Sequence, residues 1–179
     1  MIPPRHNFDG LNVTINTGEA CNMACKYCYE VNKRPNRTSP EIAKRFIDVI
    51  LLDPDPCGII GTKDEKFNNM GLVLDFIGGE PFMEVDLIRE VVEHFISTAV
   101  LLDHRWAYNW RISISSNGTL LGDPKVQKFC RDYKDNLSLG VSMDGCPTYH
   151  DLNRVFPDGS PSTPAIMKNW QFYREVAND

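Results

Sequence analysis

No stretch of this 179-residue chain is long and apolar enough to span a bilayer, so no membrane partner is expected. A Lys/Arg-rich block is also missing: 19 basic residues face 24 acidic ones, and the net charge of −5 argues against a nucleic-acid partner. The opening run Met1-Ile-Pro-Pro-Arg5-His6 has neither an apolar core nor a small-residue cleavage site, so no signal peptide is expected. Short-period repeats and low-complexity segments are not evident. The chain also lacks the second Cys-x2-Cys or the His pair that a zinc ribbon needs. What remains is an ordinary globular composition, 42% hydrophobic and 24% charged, at a length that suits one domain with a sizeable core. Without an export signal, its six cysteines are expected as reduced thiols in a cytoplasmic protein.

Strand and helix signals alternate along the chain. Apolar residues fall at every second position in Leu11-Asn-Val13-Thr-Ile15-Asn16, the pattern of a half-buried strand. Ser39-Pro40-Glu41 is a helix start, followed by Ile42, Phe46, Ile47, Ile50 and Leu51 at helical spacing. Asp53 to Gly58 ends that helix, and a polar loop runs to about Met70. The apolar run Leu72 to Ile77 reads as a buried parallel strand and stops at Gly78-Gly79-Glu80-Pro81. Val85, Leu87, Ile88, Val91, Val92, Phe95, Ile96 and Ala99 make the stripe of a second helix. Trp110 to Ser116 alternates as a third strand and ends at Asn117-Gly118. Asp123-Pro124 opens a third helix with Val126, Phe129 and Cys130 inward. Leu137 to Met143 is a fourth strand, ending at Asp144-Gly145, and a last helix begins near Ser162 or Thr163 and carries Ile166, Trp170 and Phe172. This order predicts an α/β fold with a parallel sheet. Every strand hands over to a loop rich in polar, glycine or cysteine residues, and such loops gather at the C-terminal edge of the sheet, where sites are built.

The loop after the first strand carries three cysteines, Cys21, Cys25 and Cys28, within eight residues. A mononuclear tetrahedral site needs a fourth protein ligand, and no obvious one is present. Iron–sulfur clusters are held by thiolates, and a cube-shaped cluster with three cysteines keeps one iron free for another ligand. The rival reading is a structural metal module, a zinc site completed by His6, Cys57 or another thiol.

This spacing, with Tyr27 before the third cysteine and Gly78-Gly79-Glu80-Pro81 after the second strand, resembles the radical S-adenosylmethionine (radical SAM) enzymes. Ser116-Asn117-Gly118-Thr119-Leu120-Leu121, Val141-Ser142-Met143-Asp144-Gly145, and His150-Asp151-Leu-Asn-Arg154 followed by Phe156-Pro-Asp-Gly-Ser160 resemble the branch of anaerobic sulfatase-maturing enzymes and peptide maturases. The resemblance implies a partial (β/α) TIM-like barrel of six βα units. Residues 1–179 supply about four, the N-terminal portion of that core, without a C-terminal auxiliary-cluster domain. It implies that Cys21, Cys25 and Cys28 ligate a [4Fe–4S] cluster whose fourth iron takes S-adenosylmethionine. Reductive cleavage to a 5′-deoxyadenosyl radical, for hydrogen abstraction from a peptide or protein, is then the implied activity. The same resemblance points to Gly78, Gly79 and Glu80 for the methionine amino group and Tyr27 for the adenine. It points to Ser142, Asp144 and Asn117 near the ribose, and to Arg154 for the carboxylate. An external donor of the flavodoxin or ferredoxin type is implied too. An unclosed fourth strand invites self-association or a partner that completes the barrel. The alternative is a truncated, non-catalytic remnant that binds a cluster or a partner.

Each segment also has a plainer reading. Gly78-Gly79-Glu80-Pro81 and Ser116-Asn117-Gly118 are compatible with simple turns, and Arg154 with a surface ion pair. Cys130 falls on an apolar helix face as a core residue, Cys57 in a Pro-rich loop, and Cys146 at the edge bearing the site. His94 and His104 need no more than packed or solvated roles, and Trp106, Tyr108 and Trp110 read as hydrophobic packing at a strand start.

Overall fold

Alternation in the first strand, β1 (Gly10–Asn16), puts Leu11, Val13 and Ile15 on a buried face and Asn12, Thr14 and Asn16 on an exposed one. The computed structural model describes residues 9–31, 33–53 and 70–177. His6 and Cys57 lie outside the described residues.

The same alternation recurs in β2 (Gly71–Ile77), β3 (Trp110–Ser116) and β4 (Leu137–Val141). The four strands form one sheet in the order β1-β2-β3-β4, every pair parallel. Between strands run α1 (Pro40–Leu52), α2 (Val85–Leu101) and α3 (Pro124–Asp132). Three shorter helices follow β4: α4 (Pro147–Asn153), α5 (Thr163–Lys168) and α6 (Trp170–Ala177). The fold is α/β, built from βα units as the alternation of signals predicts.

Proline and an acceptor side chain start two of the helices. Ser39 accepts from the Ile42 amide at 3.4 Å and Asp123 from the Lys125 amide at 2.7 Å, each just before a proline. Leu72, Leu74, Phe76, Ile112, Ile114 and Leu137 meet Ile47, Ile88, Val91, Val92, Phe95 and Phe129 in one core. Ion pairs tie neighbouring helices along its rim: Lys44 to Glu90, Arg89 to Asp132 and Arg131 to Glu175. His94 joins them, its Nε2 2.6 Å from Asp48. Cys130 is fully buried, and burial pushes its thiol up to about 12, so it is a small core residue.

Some elements differ from the sequence reading. On α1 the inward stripe is Ala43, Ile47, Ile50 and Leu51, while Ile42 and Phe46 are 65% and 41% exposed. Two overlapping apolar stripes share this helix, and the one containing Ala43 faces the core. The segment 147–153 forms a helix that periodicity misses, because seven residues are under two turns. The last helix is two helices, broken at Asn169, whose side-chain amide donates back to the Ala165 carbonyl at 3.2 Å. Trp106 and Trp110 are buried, with Trp106 Nε1 donating to the Met70 carbonyl at 3.1 Å, but Tyr108 is 85% exposed. His104 Nδ1 accepts from the Trp106 amide at 3.2 Å. Among the described residues, no helix is long and apolar enough to cross a membrane.

Candidate functional site

The β1–β2 ladder does not stop where the strands do. Beyond them Thr17 N donates to Ile77 O at 2.8 Å, Gly79 N to Gly18 O at 2.9 Å and Glu80 N to Ala20 O at 2.9 Å. The Gly78-Gly79 segment therefore lies against the backbone leading into Cys21. A Cβ on Gly79 would stand 2.3 Å from the Ala20 carbonyl oxygen and one on Gly78 2.6 Å from that of Gly18. The close approach these glycines allow is to the stem of the cysteine loop.

Glu80 follows, 2% exposed. Its Oε1 accepts from Ser116 Oγ at 2.7 Å and Phe82 N at 3.1 Å, and its Oε2 from Asn117 N at 2.7 Å. One carboxylate thus pins the end of β3 to the turn after β2. Burial pushes its pKa up, against the pull of those three donors and of Arg154. Asn117 in turn ties β3 to the cysteine loop. Its Nδ2 donates to Asn22 Oδ1 at 2.9 Å and lies 4.0 Å from Cys21 Sγ, while its Oδ1 accepts from Thr119 N and Oγ1. Asn22 Nδ2 closes the ring on Thr119 Oγ1 at 2.8 Å. Cys21 Sγ also accepts from Met23 N at 3.4 Å.

On the other side of the loop, Tyr27 donates its hydroxyl to Asp144 Oδ2, and Arg154 Nε donates to Asp144 Oδ1 at 3.1 Å. The Arg154 guanidinium carbon lies 5.6 Å from the Tyr27 ring centre, within cation–π range. Burial raises the Asp144 pKa, but the donors Tyr27 and Arg154 outweigh it and hold the carboxyl below its usual range. Burial works against the Arg154 charge, and Tyr27 and Asp144 more than restore it. Asp144, expected at the ribose, bonds to Tyr27 and Arg154 and is not among the residues lining the cavity. Arg154 is no surface ion pair, since its side chain is only 16% exposed.

These parts enclose a cavity of about 310 Å³. Cys21, Cys25 and Cys28 line it together with Tyr27, Gly78, Gly79, Glu80, Asn117, Ser142 and Arg154. Ser142 is held there by its amide, which donates to Ser116 O at 2.9 Å. Ten of the eleven sequence-derived site residues therefore meet at one place, Asp144 being the one set back. Reasoning from the sequence missed Met23, Lys33 and Ser116 in the wall. Asn22, adjacent to Cys21, and Thr119, in the run already singled out, were within reach of that reading. Lys33 Nζ donates to the Met23 carbonyl. Cys146 is exposed and not part of the wall.

The donor set suits a soft polynuclear group. Three thiols border one cavity, and thiolates suit soft metal centres. Burial, with Cys21 and Cys28 adding to it, pushes the Cys25 thiol up, while Arg154 and Lys33 oppose that rise. A thiol raised in this way would give up its proton on binding a metal.

Fold and site together define a parallel α/β protein with a cysteine-lined cofactor cavity at the C-terminal edge of its sheet. Residues 9–114 match the family of 4Fe-4S single cluster domains. A serine-type anaerobic sulfatase-maturating enzyme of Bacteroides thetaiotaomicron is 30% identical over 161 residues, 84% of this chain and 33% of that relative. The radical SAM cyclopropyl synthase TigE of Paramaledivibacter caminithermalis is 27% identical over 172 residues, 88% of this chain and 31% of that protein. The solved structure of native anSMEcpe with bound AdoMet and Cp18Cys peptide shares the fold at a TM-score of 0.69 and 20% identity, over 93% of this chain and 40% of that one. The chain belongs to the 4Fe-4S single cluster domain family and is a member of the radical SAM proteins. It spans 31–40% of the length of these relatives.

Proposed function

We propose that this chain holds a [4Fe–4S] cluster on Cys21, Cys25 and Cys28, binds S-adenosylmethionine in the adjoining cavity, and serves hydrogen abstraction from a peptide or protein. The observation that carries this reading is the shared cavity: three thiols, a buried carboxylate, a guanidinium and an aromatic ring all border one space. When bound, the reduced cluster supplies the electron that cleaves the sulfonium into methionine and a 5′-deoxyadenosyl radical.

Each wall residue has work suited to its chemistry. Arg154 offers a planar fork to the methionine carboxylate, its Nε already fixed by Asp144. Glu80 favours a cation beside it, because an incoming ammonium offsets the burial that raises its pKa. Tyr27 presents a ring face to the adenine, locked by its hydroxyl. Ser142 and Asn117 bring polar groups toward the ribose, although the Asn117 amide is largely committed to the cysteine loop. The two N–H groups near Cys21 Sγ would temper its thiolate and raise the potential of a cluster held there. A flavodoxin- or ferredoxin-type donor would supply the electron, in the cytoplasm.

Anaerobic reconstitution tests the reading. The expected product is brown, with about four irons and four sulfides per chain, and loses its colour when Cys21, Cys25 and Cys28 are all replaced by alanine. Zinc in anaerobically purified protein would favour the structural metal module and overturn the cluster. A second reading rests on the partial coverage of the relatives. In it the chain holds a cluster without turnover, alone or until self-association or a partner completes the barrel. Release of 5′-deoxyadenosine from the dithionite-reduced protein separates the two.

A further inference from the structure

Arg154 sits in a segment whose backbone is as occupied as its side chain. Asn153 O accepts from Lys26 N at 2.9 Å, and Val155 O accepts from Ala24 N at 2.8 Å. Two amides of the cysteine loop, on either side of Cys25, are therefore clasped by residues 153–155. The carbonyl between them, that of Arg154, points the other way and accepts from Ser162 Oγ at 2.7 Å. Val155 bridges Pro161 on the far side, and the turn over 156–160 folds back through Phe156 N to Ser160 O at 2.9 Å. The clasp is a short extended strap between the cysteine loop and the start of α5.

His150 anchors this strap. It is fully buried, as is Ser162, and both ring nitrogens are used. Asp144 N donates to His150 Nδ1 at 3.2 Å, and His150 Nε2 lies 3.0 Å from Ser162 Oγ. Nδ1 is an acceptor, so the proton resides on Nε2 and goes to Ser162 Oγ, which spends its own proton on the Arg154 carbonyl. One neutral ring thus joins the turn that carries Asp144 to the strap that carries Arg154. Asp151 fixes the base of the arrangement by accepting from Thr163 N and Oγ1, both at 2.9 Å.

We infer that His150, acting through Ser162, is the positioning residue of this site, setting Asp144, Arg154 and the Ala24–Lys26 part of the cysteine loop at once. The inference rests on the proposed function for what is positioned, a cofactor held by Tyr27 and Arg154. The latch geometry itself concerns this chain alone. Neither His150 nor Ser162 lines the cavity, so loss of the latch should leave the core intact and loosen the cysteine loop.

Two variants and three readouts test this. Ser162→Ala removes one oxygen and cuts the link to Arg154, while His150→Phe removes both links with a ring of similar size. In both variants, the amides of Ala24 and Lys26 should exchange with deuterium about tenfold faster or more, with those of Leu74 and Ile112 unchanged. Equal acceleration at all four amides, or no change at Ala24 and Lys26, overturns the inference. In the wild-type protein, nitrogen NMR of the His150 ring should show the Nε2–H tautomer at neutral pH; an Nδ1–H or doubly protonated ring overturns it too. In reconstituted protein, equilibrium dialysis should show S-adenosylmethionine binding weakened about tenfold in Ser162→Ala. Wild-type protein that binds no S-adenosylmethionine removes the proposed function instead, and the exchange comparison still decides on His150.

Discussion

At the scale of single residues, the site depends on buried polar groups that serve one another before they serve a ligand. Glu80 is the clearest case. Replacing it with alanine leaves the Phe82 amide, the Ser116 hydroxyl and the Asn117 amide without their acceptor in a buried place. The expected cost is about 3 kcal/mol of unfolding free energy, read from urea denaturation. Glu80→Gln keeps one acceptor oxygen but turns an N–H toward a donor, so its loss should be smaller. If both variants unfold like the wild type, the clamp is not structural. His150 adds a pH dependence with a definite sign. Burial, then Arg154, lowers its pKa from the ordinary 6.5, against the nearby Asp151 and Asp144. The unfolded chain therefore takes up the proton more readily than the folded one. The contribution of His150 is complete above pH 6.5 and is lost as pH falls from there through the lowered folded value. Between about pH 7 and about pH 5, His150→Phe should lose less stability than the wild type. Parallel losses in the two proteins would place the acid sensitivity elsewhere.

At the scale of elements, the cysteine loop is not a free excursion from β1 but a segment held by three others: the Gly78-Gly79 turn, the end of β3 and the strap after α4. Gly79→Ala should therefore act on the loop as well as on stability. Its Cβ meets two backbone carbonyl oxygens, at 2.3 and 2.5 Å, and neither is the yielding end of a flexible side chain. We expect a loss of about 2 kcal/mol or more and a reduced iron content after reconstitution. Gly159→Ala is the control. It has positive φ but nothing within 4 Å of the added carbon, so it should cost about 1 kcal/mol and leave iron binding alone. An equal effect of the two substitutions on iron content would show that loop packing is not the cause. The strands, their order and the loops bearing the site were legible in the sequence, because alternation and apolar runs are local signals read residue by residue. The cysteines and the glycine pair were legible for the same reason. What was not legible is who answers whom across the fold. Glu80 and Asn117 are 37 positions apart and Asn22 and Asn117 are 95, and no local pattern announces such pairs. Helix α4 and the break at Asn169 escaped because segments this short carry no period. On α1 Ile47, Ile50 and Leu51 were legible, but Ile42 and Phe46 read as inward too because two apolar stripes compete there, and only the approach of α2 selects Ala43.

At the scale of the whole molecule, the hydrophobic core among the described residues lies on one face of the sheet. Purely parallel sheets are usually covered on both faces. Here Leu11, Val13, Leu72, Leu74, Ile112, Ile114, Leu137 and Leu139 bury one face beneath the helices. The opposite face presents Asn12, Thr14, Asp75, Ser113, Ser115 and Ser138, partly or fully exposed, beside the apolar Val73 and Ile77 and the buried Arg111, with Thr14 Oγ1 donating to Asp75 Oδ2 at 3.3 Å. A mostly polar, open inner face is what the wall of a barrel lumen looks like, and the site lies at its C-terminal rim. Folding energy and chemistry are thereby separated across the sheet's thickness, with one face holding the molecule together and the other left for ligands. The separation can be measured. Leu74→Ala, at a fully buried position of β2, should cost 2–5 kcal/mol, roughly the range for emptying a leucine site. Thr14→Ser and Ser138→Ala, on the open face, should each stay within about 0.5 kcal/mol of the wild type. Urea unfolding of the three variants gives the comparison directly. A large loss on the open face would mean that something in the folded protein covers it, and the separation would fail. With the expected result, residues on the polar face are free to vary with the ligand they meet, while those beneath the helices answer only to packing.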